Sequence, residues 1–271
     1  MENNKLKKLI NILKDMESAV LAYSGGADST FLLKAMQLSG IRALAVTAVS
    51  EIIPRCEVLS AKKMAKEIGI KHMIIETHEL SNKKFVSNTP ERCFVCKDNR
   101  FKILRDIATS EGYGFVIDGS NCDDLGDYRP GKKAAEKYGV RSPLIEAGFS
   151  KKKIREVSKE LSLLTWNKPS SPCLSTRFPY GSRITKEALK RVEKAEDFLR
   201  SFGFHEIRVR DHGSIARIEV EEDKIGLLLT PERRKTISEK LKSLGYEFIS
   251  LDLDGYKSGS MNRVLKGSCI L

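Results

Sequence analysis

Residues 24–29 read Ser-Gly-Gly-Ala-Asp-Ser (SGGADS), between an apolar run from Ala19 to Tyr23 and a helix-like stretch from Thr30 to Leu38. Glycines at a strand-to-helix turn let backbone N–H groups approach an anion closely, and the helix N-terminus adds a favourable dipole. The stretch therefore predicts a phosphate-binding loop. It is not a Walker A loop, because no Gly-Lys-Ser/Thr sequence closes it, so ordinary transfer of a γ-phosphoryl group is not expected. The alternative is a tight turn whose Ser and Asp only cap the helix.

Strand-like and helical patterns alternate on both sides of this loop up to about residue 145. The strand-like runs are Ala19 to Tyr23, Ala43 to Val49, His72 to Ile75 and Phe115 to Ile117, and helical spacing recurs over 30–38, 60–68 and 97–110. Such alternation predicts an α/β fold, with a doubly wound parallel sheet covered by helices on both faces. Ligands of these sheets bind at the carboxyl ends of the strands, where SGGADS lies.

The rest of the chain predicts a smaller α+β domain. A Ser-capped helix over 150–163 leads into a Pro- and Ser-rich stretch, TWNKPSSPCLSTRFPYGSRI, at 165–184. We place the boundary there: a first domain at 1–168, a linker carrying Cys173 at 169–184, and a second domain at 185–271. The second domain is predicted to contain a helix from Thr185 to Phe202, two strands joined around Asp211-His212-Gly213, a helix over 231–244 and a strand over 247–253.

Composition narrows the class of protein. The 48 Lys and Arg residues against 36 Asp and Glu give a net charge of +12, which favours an anionic partner such as a nucleotide or a nucleic acid. No apolar run approaches the roughly 20 residues of a membrane helix. The charged N-terminus lacks an apolar signal region, so we expect a cytoplasmic protein. In that reducing compartment the six cysteines indicate metal or sulfur chemistry more than disulfides.

The SGGxDS pattern resembles the loop of the PP-loop enzymes, which activate a carboxylate, amide or carbonyl oxygen as its AMP ester and release pyrophosphate. The positions that match this motif are Ser24, Gly25, Gly26, Asp28 and Ser29. The resemblance implies ATP and Mg²⁺, with Asp28 orienting the metal or the phosphates. Asp124, after the fourth strand, is a further candidate for the nucleotide site, and an exposed turn aspartate is the alternative.

Further segments resemble the LarE family of ATP-dependent sulfur transferases across nearly the full length. They are ERCFVCK (91–97), DGSNCDDLGDYRPG (118–131), RSPL (141–144), NKPSSPCLSTRFPYG (167–181), IRVRDHGSIARIEV (207–220) and LDLDGYKSGSMN (251–262). The resemblance implies an adenine nucleotide α hydrolase-like fold and adenylation of pyridinium-3,5-biscarboxylate mononucleotide, whose carboxylate becomes a thiocarboxylate. It also implies a homo-oligomer and a sulfide or other sulfur donor.

The cysteines are the candidate residues for supplying or holding the transferred sulfur. Cys173 matches the position at which single-cysteine members of the family give up their own sulfur and form dehydroalanine. Cys93 and Cys96 depart from that pattern, and with Cys173 they supply three thiolates. The resemblance to three-cysteine members implies a 4Fe-4S cluster held by these three residues, with an open corner for sulfide. Two alternatives stay open: Cys122 could complete a zinc site, or the CxxC pair could be a redox dithiol. Cys56 and Cys269 have no suitably spaced partner.

Two arginines in the second domain are candidates for binding the substrate phosphate. Arg208 and Arg210 alternate along a predicted strand and share one face, while a solvated strand face is the alternative reading. The resemblance puts these arginines near the active cysteine, and Glu196 is a further candidate for that pocket.

A rival function is thiolation of tRNA, although no RNA-binding motif is recognised and nucleic acid is not the expected partner. A nucleotide-binding regulator and an ammonia-using amidating enzyme also remain, but neither requires the thiols.

Overall fold

The computed structural model describes residues 4–126, 130–204, 206–257 and 259–266. Cys269, which has no suitably spaced partner in the sequence, lies outside these ranges, as does His205. Within the described ranges, no helix combines the length and the apolar character that a membrane crossing requires.

The predicted helices and strands occur in the predicted order, together with further helices that the apolar patterns did not predict. The α-helices of the described ranges are α1 (Asn4–Lys14), α2 (Ala27–Ser39), α3 (Arg55–Ile68), α4 (Lys83–Val86), α5 (Arg92–Ser110), α6 (Gly131–Lys137), α7 (Pro143–Glu146), α8 (Lys151–Glu160), α9 (Lys186–Arg200), α10 (Ile225–Leu228), α11 (Pro231–Ser243) and α12 (Arg263–Lys266). The strands are β1 (Ser18–Ala22), β2 (Arg42–Val49), β3 (Lys71–Glu76), β4 (Phe115–Ile117), β5 (Ile207–His212), β6 (Ile215–Val220) and β7 (Phe248–Leu251).

The first four strands form one parallel sheet in the order β3-β2-β1-β4, which confirms the predicted α/β fold. In the middle of the sheet, Val20 pairs with Leu44 on one side and with Val116 on the other. The chain continues from β1 to β2 on one side of β1, whereas β4 lies on the other side. The carboxyl end of β1 is therefore the switch point of the sheet, where open α/β sheets bind ligands.

Both faces of the sheet are buried at its central strand β1, as the apolar runs predicted. Alternate residues of β1 enter different cores: Leu21 packs with α2 residues such as Phe31, while Val20 packs with Phe101 and Leu104 of α5. This arrangement explains why the strands read as continuous apolar runs instead of alternating with polar residues.

Two helices begin earlier than their apolar spacing predicted. The structure starts α3 at Arg55 instead of residue 60 and α5 at Arg92 instead of residue 97. The first turn of α3 is mostly polar or small. In α5, Phe94 and Val95 are followed three and four positions later by the polar residues 97–99, so the apolar spacing that marks a helix is interrupted there. Consequently Cys93 and Cys96 lie inside a helix.

Chain contacts divide the protein into two compact units. The first comprises residues 1–79 and 90–171, and the second comprises 80–89 and 172–271. No pattern in the sequence predicts that residues 80–89 belong with the second unit. The division into a first domain at 1–168, a linker at 169–184 and a second domain at 185–271 stays a prediction.

The second unit is a small α+β structure. Strands β5 and β6 are antiparallel and joined by a tight turn in which Gly213 has a φ of 78°, and β7 adds in parallel to β6. Its core is built from the apolar faces of α9, α11 and the sheet, with Leu199, Val209 and Leu241 almost fully buried.

Asn88 joins the inserted segment to the second unit. It is fully buried with a φ of 54°, its side-chain amide donates to the carbonyl oxygen of Pro179 at 2.7 Å, and its own carbonyl oxygen accepts from the backbone of Gly181 at 3.1 Å. These bonds fix the chain a few residues after Cys173.

Candidate active site

The SGGADS loop is held in a conformation that only glycine fits at its second position. Gly25 has a φ of 71°, and a Cβ placed there would lie 2.7 Å from the Cβ of Ala61 in α3 and 2.8 Å from its Cα. Because the α3 backbone closes on the loop, any side chain at Gly25 would push the two apart. The hydroxyls of Ser24 and Ser29 lie 3.1 Å apart across the loop.

Helix α2 begins directly after the loop, and its first turn bears Asp28. The N-cap residue Gly26 is extended, so the backbone N–H groups of the first turn are oriented toward the loop, as in helix-terminal anion sites. The geometry suits a phosphate whose charge meets the positive end of the helix dipole.

Asp28 has one occupied and one unsatisfied carboxylate oxygen. Its Oδ2 accepts from Lys151 Nζ at 2.6 Å and from Asn121 Nδ2 at 3.3 Å. Its Oδ1 is buried and has no hydrogen-bond partner among the described residues. A buried carboxylate oxygen beside a phosphate cradle is a ligand that Mg²⁺ prefers. The residues present therefore fit a Mg²⁺ ion at Asp28.

The loop that follows β4 meets α2 at the switch point. A Cβ on Gly119 would lie 3.1 Å from both the Cα and the N of Ser29, so the two backbones are in close contact. Next to it, Asp118 accepts from the hydroxyl groups of Ser142 at 2.7 Å and Ser120 at 2.8 Å. These bonds hold the 118–121 segment against the start of α2.

Asp124, predicted for the nucleotide site, has a local contact in the structure. Its Oδ2 accepts from the backbone N of Asn121 at 3.0 Å, at the start of the short 3-10 helix Cys122–Gly126. This bond stabilises the turn that presents Asn121 to Asp28. A direct role for Asp124 in nucleotide binding stays a prediction.

Two lysines of this site were not predicted from the sequence. Lys151 is the first residue of α8 and bonds Asp28, whereas Lys168 donates to the carbonyl oxygen of Gly25 at 3.0 Å and pairs with Glu57 at 2.7 Å. Neither stands near SGGADS in sequence. The absence of a Walker lysine from SGGADS was the one sequence feature that could have indicated them. A phosphate site without a cation in its own loop needs a cation from another element of the fold.

Cys93 and Cys96 lie one turn apart at the start of α5, so their side chains share one face of the helix. The Cys96 thiol is 3.6 Å from Oε1 of Glu79, a buried carboxylate that also receives Arg100 at 2.8 Å. Burial alone would raise the pKa of Glu79, but the charge and hydrogen bonds of Arg100 outweigh it and hold the pKa below its ordinary value.

No group of three or more His, Cys, Asp or Glu side chains among the described residues is arranged to hold a metal ion. Cys93, Cys96 and Cys122 belong to the first unit and Cys173 to the second. The Cys122 thiol approaches the carbonyl oxygen of Ile145 at 3.9 Å. Each of these four thiols is partly exposed. Within the first unit, Cys93 and Cys96 are two thiols on one face of α5, and a metal role for them stays a prediction.

Cys173 directly precedes the 3-10 helix Leu174–Arg177 in the second unit. At the end of that helix, Arg177 is fully buried and forms a two-point ion pair with Glu196 of α9, at 2.8 and 3.0 Å. The Glu196 carboxylate raises the pKa of Arg177, although burial alone would lower it. Burial would raise the pKa of Glu196, but Arg177 more than offsets this and lowers it.

Arg208 and Arg210 are only 5% exposed, so the solvated strand face is excluded for both. Arg210 pairs with the buried Glu219 at 2.5 Å and donates to the carbonyl oxygen of Thr176 at 3.0 Å. Its Nε is buried without a hydrogen-bond partner among the described residues. Burial, together with repulsion from Arg177, lowers the pKa of Arg208. Arg210 thus has one donor without a partner in the described part of the chain, and the three guanidiniums of Arg177, Arg208 and Arg210 outnumber the two buried carboxylates of Glu196 and Glu219, which suits an anion.

A parallel sheet in the order 3-2-1-4, with a Ser-Gly-Gly-x-Asp-Ser loop at its switch point, defines a PP-loop protein of the α/β class. No protein-family model matches the chain. It is 40% identical to the pyridinium-3,5-bisthiocarboxylic acid mononucleotide synthase of Lactiplantibacillus plantarum, over 96% of this chain and 95% of that protein. The chain belongs to the family of that synthase, the LarE family.

Two further relatives extend the comparison. An uncharacterized protein of Synechocystis is 42% identical over 98% of this chain and 99% of its own length. The tRNA-specific 2-thiouridylase MnmA of Clostridioides difficile is 24% identical over 66% of this chain and 61% of its own length.

Proposed function

We propose that this protein is an ATP-dependent sulfur transferase that adenylates a carboxylate of pyridinium-3,5-biscarboxylate mononucleotide and converts it to a thiocarboxylate. The observation that carries the proposal is the Asp28 site at the switch point, with an anion cradle and an unsatisfied carboxylate oxygen side by side. Membership in the LarE family supplies the substrate class.

Adenylation is assigned to the first unit. The backbone N–H groups at the start of α2 would bind the departing pyrophosphate, and Lys151 would neutralise part of its charge. Asp28 would hold Mg²⁺, which neutralises triphosphate charge. A substrate carboxylate oxygen attacks the α-phosphorus, a C–O–P linkage forms, and the bond between the α-phosphorus and the bridging oxygen breaks. The acyl carbon then carries AMP as a leaving group.

Sulfur transfer replaces that leaving group. A sulfur nucleophile attacks the acyl carbon, a C–S bond forms, and AMP departs with the electron pair of the C–O bond. We propose Cys173 as the essential thiol of this step. In the second unit, Arg208 and Arg210 would bind the phosphate of the mononucleotide, since both are buried cations and Arg210 has an unused donor.

Two sources of sulfur lead to different products on the protein. Cys93, Cys96 and Cys173 would hold a 4Fe-4S cluster, which would supply inorganic sulfide. Alternatively, Cys173 attacks with its own sulfur, and loss of its α-proton then breaks the Cβ–Sγ bond and leaves dehydroalanine. The CxxC pair on one face of α5 favours the cluster, because a sacrificial mechanism needs no second or third thiol.

The first experiment tests the overall reaction. Purified protein is incubated with ATP, Mg²⁺, the mononucleotide and sulfide under anaerobic conditions, and pyrophosphate and thiocarboxylate are measured. Pyrophosphate release that requires the mononucleotide supports the proposal. Unchanged mononucleotide, with or without ATP hydrolysis, would reject it.

A second experiment separates the two sources of sulfur. Iron and acid-labile sulfide are measured in anaerobic protein, and the mass of Cys173 is determined after turnover. Iron and sulfide in about equal amounts, lost in Cys93→Ser but kept in Cys122→Ser, support the cluster. A Cys173 lighter by one hydrogen sulfide supports sacrifice, and zinc without iron rejects the cluster.

Thiolation of tRNA is the second candidate, because the chain resembles MnmA of C. difficile over 66% of its length. A salt-sensitive mobility shift with bulk tRNA, followed by ATP-dependent thiolation, would favour that function. For the proposed function we expect a cytoplasmic homo-oligomer whose substrate is a small molecule.

A further inference from the structure

Glu196 is a fully buried carboxylate whose two oxygens are already occupied. Oε1 accepts from Arg177 Nε at 2.8 Å and from the backbone N of Val209 at 3.1 Å. Oε2 accepts from Arg177 Nη2 at 3.0 Å and from Arg200 Nη2 at 2.9 Å. A carboxylate offers about four lone-pair sites. Four donors therefore use the hydrogen-bonding capacity of Glu196, and none is left for a substrate.

Arg177 also contacts the backbone around Cys173, through its Nη1. Its Nη1 contacts the carbonyl oxygens of Pro172 at 2.9 Å and Cys173 at 3.2 Å, and the hydroxyl of Thr176 at 2.9 Å. Because the side chain is fully buried, these contacts are not shared with bulk water. The guanidinium thus holds the peptide units on both sides of Cys173.

A continuous set of bonds runs from strand β5 to Cys173. The backbone of Val209 bonds Glu196, Glu196 bonds Arg177, and Arg177 bonds the Cys173 carbonyl group. Val209 lies between Arg208 and Arg210 in the strand. The backbone that carries the Cys173 thiol is thereby fixed relative to the two arginines proposed to bind the substrate phosphate.

We propose that Arg177 and Glu196 are a positioning pair that orients Cys173 for sulfur transfer, and that Glu196 does not bind the substrate. This inference rests on the proposed function. A buried ion pair is a weak means of stabilising a fold, since apolar residues of similar volume often do as well. The planar fork of arginine, by contrast, bonds several acceptors in one fixed geometry, which lysine cannot reproduce.

The test compares Arg177→Lys and Glu196→Gln with the control Arg191→Lys. Arg191, also on α9, pairs with the buried Asp211 at 2.7 Å, so its replacement disturbs a similar ion pair that does not touch residues 172–177. Hydrogen–deuterium exchange is followed at the amides of Thr176 and Phe178, which bond the carbonyl oxygens of Cys173 and Ser175. Exchange at both amides should accelerate about tenfold or more in the two test variants and stay within about twofold in the control.

Kinetics distinguish positioning from substrate binding. Thiocarboxylate formation in a single turnover should slow about tenfold or more in Glu196→Gln, while KM for the mononucleotide stays within about threefold. If Glu196 were a substrate ligand, KM would rise with little change in kcat, and that result would overturn the inference. If wild-type protein forms no thiocarboxylate, the proposed function fails, whereas the exchange measurement still decides the positioning role.

Other outcomes also decide the matter. Unchanged exchange in Arg177→Lys, or equal acceleration in Arg191→Lys, would overturn the inference. Should the test variants fail to fold, exchange in the wild-type protein replaces the comparison. We expect the amides of Thr176 and Phe178 to be protected about tenfold or more relative to an unstructured chain. Exchange at the unstructured rate would show that the segment is not held.

Discussion

The ammonium nitrogen of Lys151 lies 2.6 Å from Oδ2 of Asp28 and joins the first residue of α8 to the first turn of α2. A Walker A loop carries its phosphate-binding lysine in its own sequence, and SGGADS does not. Lys151 supplies a cation at the same loop from a helix more than 120 positions later. Its partner Asp28 has no hydrogen-bond donor at Oδ1 among the described residues. The ammonium group of Lys151 and a carboxylate oxygen suited to Mg²⁺ therefore lie next to each other.

We expect Lys151→Met to lower pyrophosphate release by about a hundredfold, the size of effect seen when one preorganised donor to a developing charge is removed. Pyrophosphate release with ATP and the mononucleotide measures it. The matched control is Lys152→Met, which removes an exposed lysine at the next position and should keep wild-type rates. Equal rates in the two variants would remove Lys151 from the nucleotide site.

A second prediction concerns the backbone of the loop. Gly25 and Gly40 both have positive φ, 71° and 74°, but only at Gly25 would a Cβ meet a neighbour. Gly40→Ala should therefore lower the free energy of unfolding by about 1–2 kcal/mol, the cost of placing a residue with a Cβ at positive φ. Gly25→Ala should cost a further 1–3 kcal/mol or so, since it must also push α3 away.

Urea unfolding measures this difference, and ATP binding by calorimetry gives a second readout. Gly25→Ala should lose ATP affinity, because the displaced loop no longer presents its N–H groups to the phosphates, whereas Gly40→Ala should keep it. Equal stability of the two variants would mean that α3 can move aside without cost.

A third prediction concerns pH. The His72 Nε2 lies 2.8 Å from the hydroxyl of Thr47, which itself donates to the carbonyl oxygen of Tyr23 at 2.9 Å. Burial, with a smaller contribution from Lys62, lowers the pKa of His72. The unfolded chain then binds more protons than the folded one once the pH falls below about 6.5, so the free energy of unfolding decreases on acidification.

Replacing His72 should remove that part of the pH dependence. Between pH 8 and pH 5.5, the urea midpoint of His72→Gln should fall less than that of wild-type protein. His78→Gln, which alters an exposed histidine shortly after β3, serves as the control and should keep the wild-type slope. A wild-type slope in His72→Gln would show that protonation of this ring is not coupled to folding.

The sheet and its switch point could be predicted because each of its strands contains an apolar run with its own local signal, which in β1, β2 and β4 is largely buried. The start of α5 could not, since Phe94 and Val95 have only the polar residues 97–99 at helical spacing after them. Assignment of residues 80–89 to the second unit was also out of reach. It depends on contacts such as that between Asn88 and Pro179, which lie 91 positions apart and leave no periodic trace.

The arginines of β5 show the limit of pattern reading at the site. Charged residues that alternate along a strand are usually solvated, yet Arg208 and Arg210 are buried because the neighbouring strand contributes Glu219, which is fully buried. Register between the strands pairs Glu219 with Arg208 directly. An acidic residue opposite an arginine was therefore the available sign that this face is not open to water.

The last prediction tests these arginines as ligands of the substrate phosphate. Arg210→Ala removes a buried guanidinium whose Nε lacks a partner among the described residues, while Glu219 keeps Arg217 at 3.2 Å, so no carboxylate is left unpaired. We expect KM for the mononucleotide to rise about tenfold to a hundredfold, the loss of one charge-assisted contact, with KM for ATP within about twofold.

Arg208→Ala should act in the same direction, because the two guanidiniums lie on one face of β5. Arg234→Ala, which removes an exposed arginine from α11 of the same unit, is the control for the loss of one positive charge and should leave both constants unchanged. Steady-state rates with each substrate varied in turn measure the constants. If KM for ATP rose as much as KM for the mononucleotide, the arginines would be acting through the protein's overall charge and not at a phosphate of the substrate.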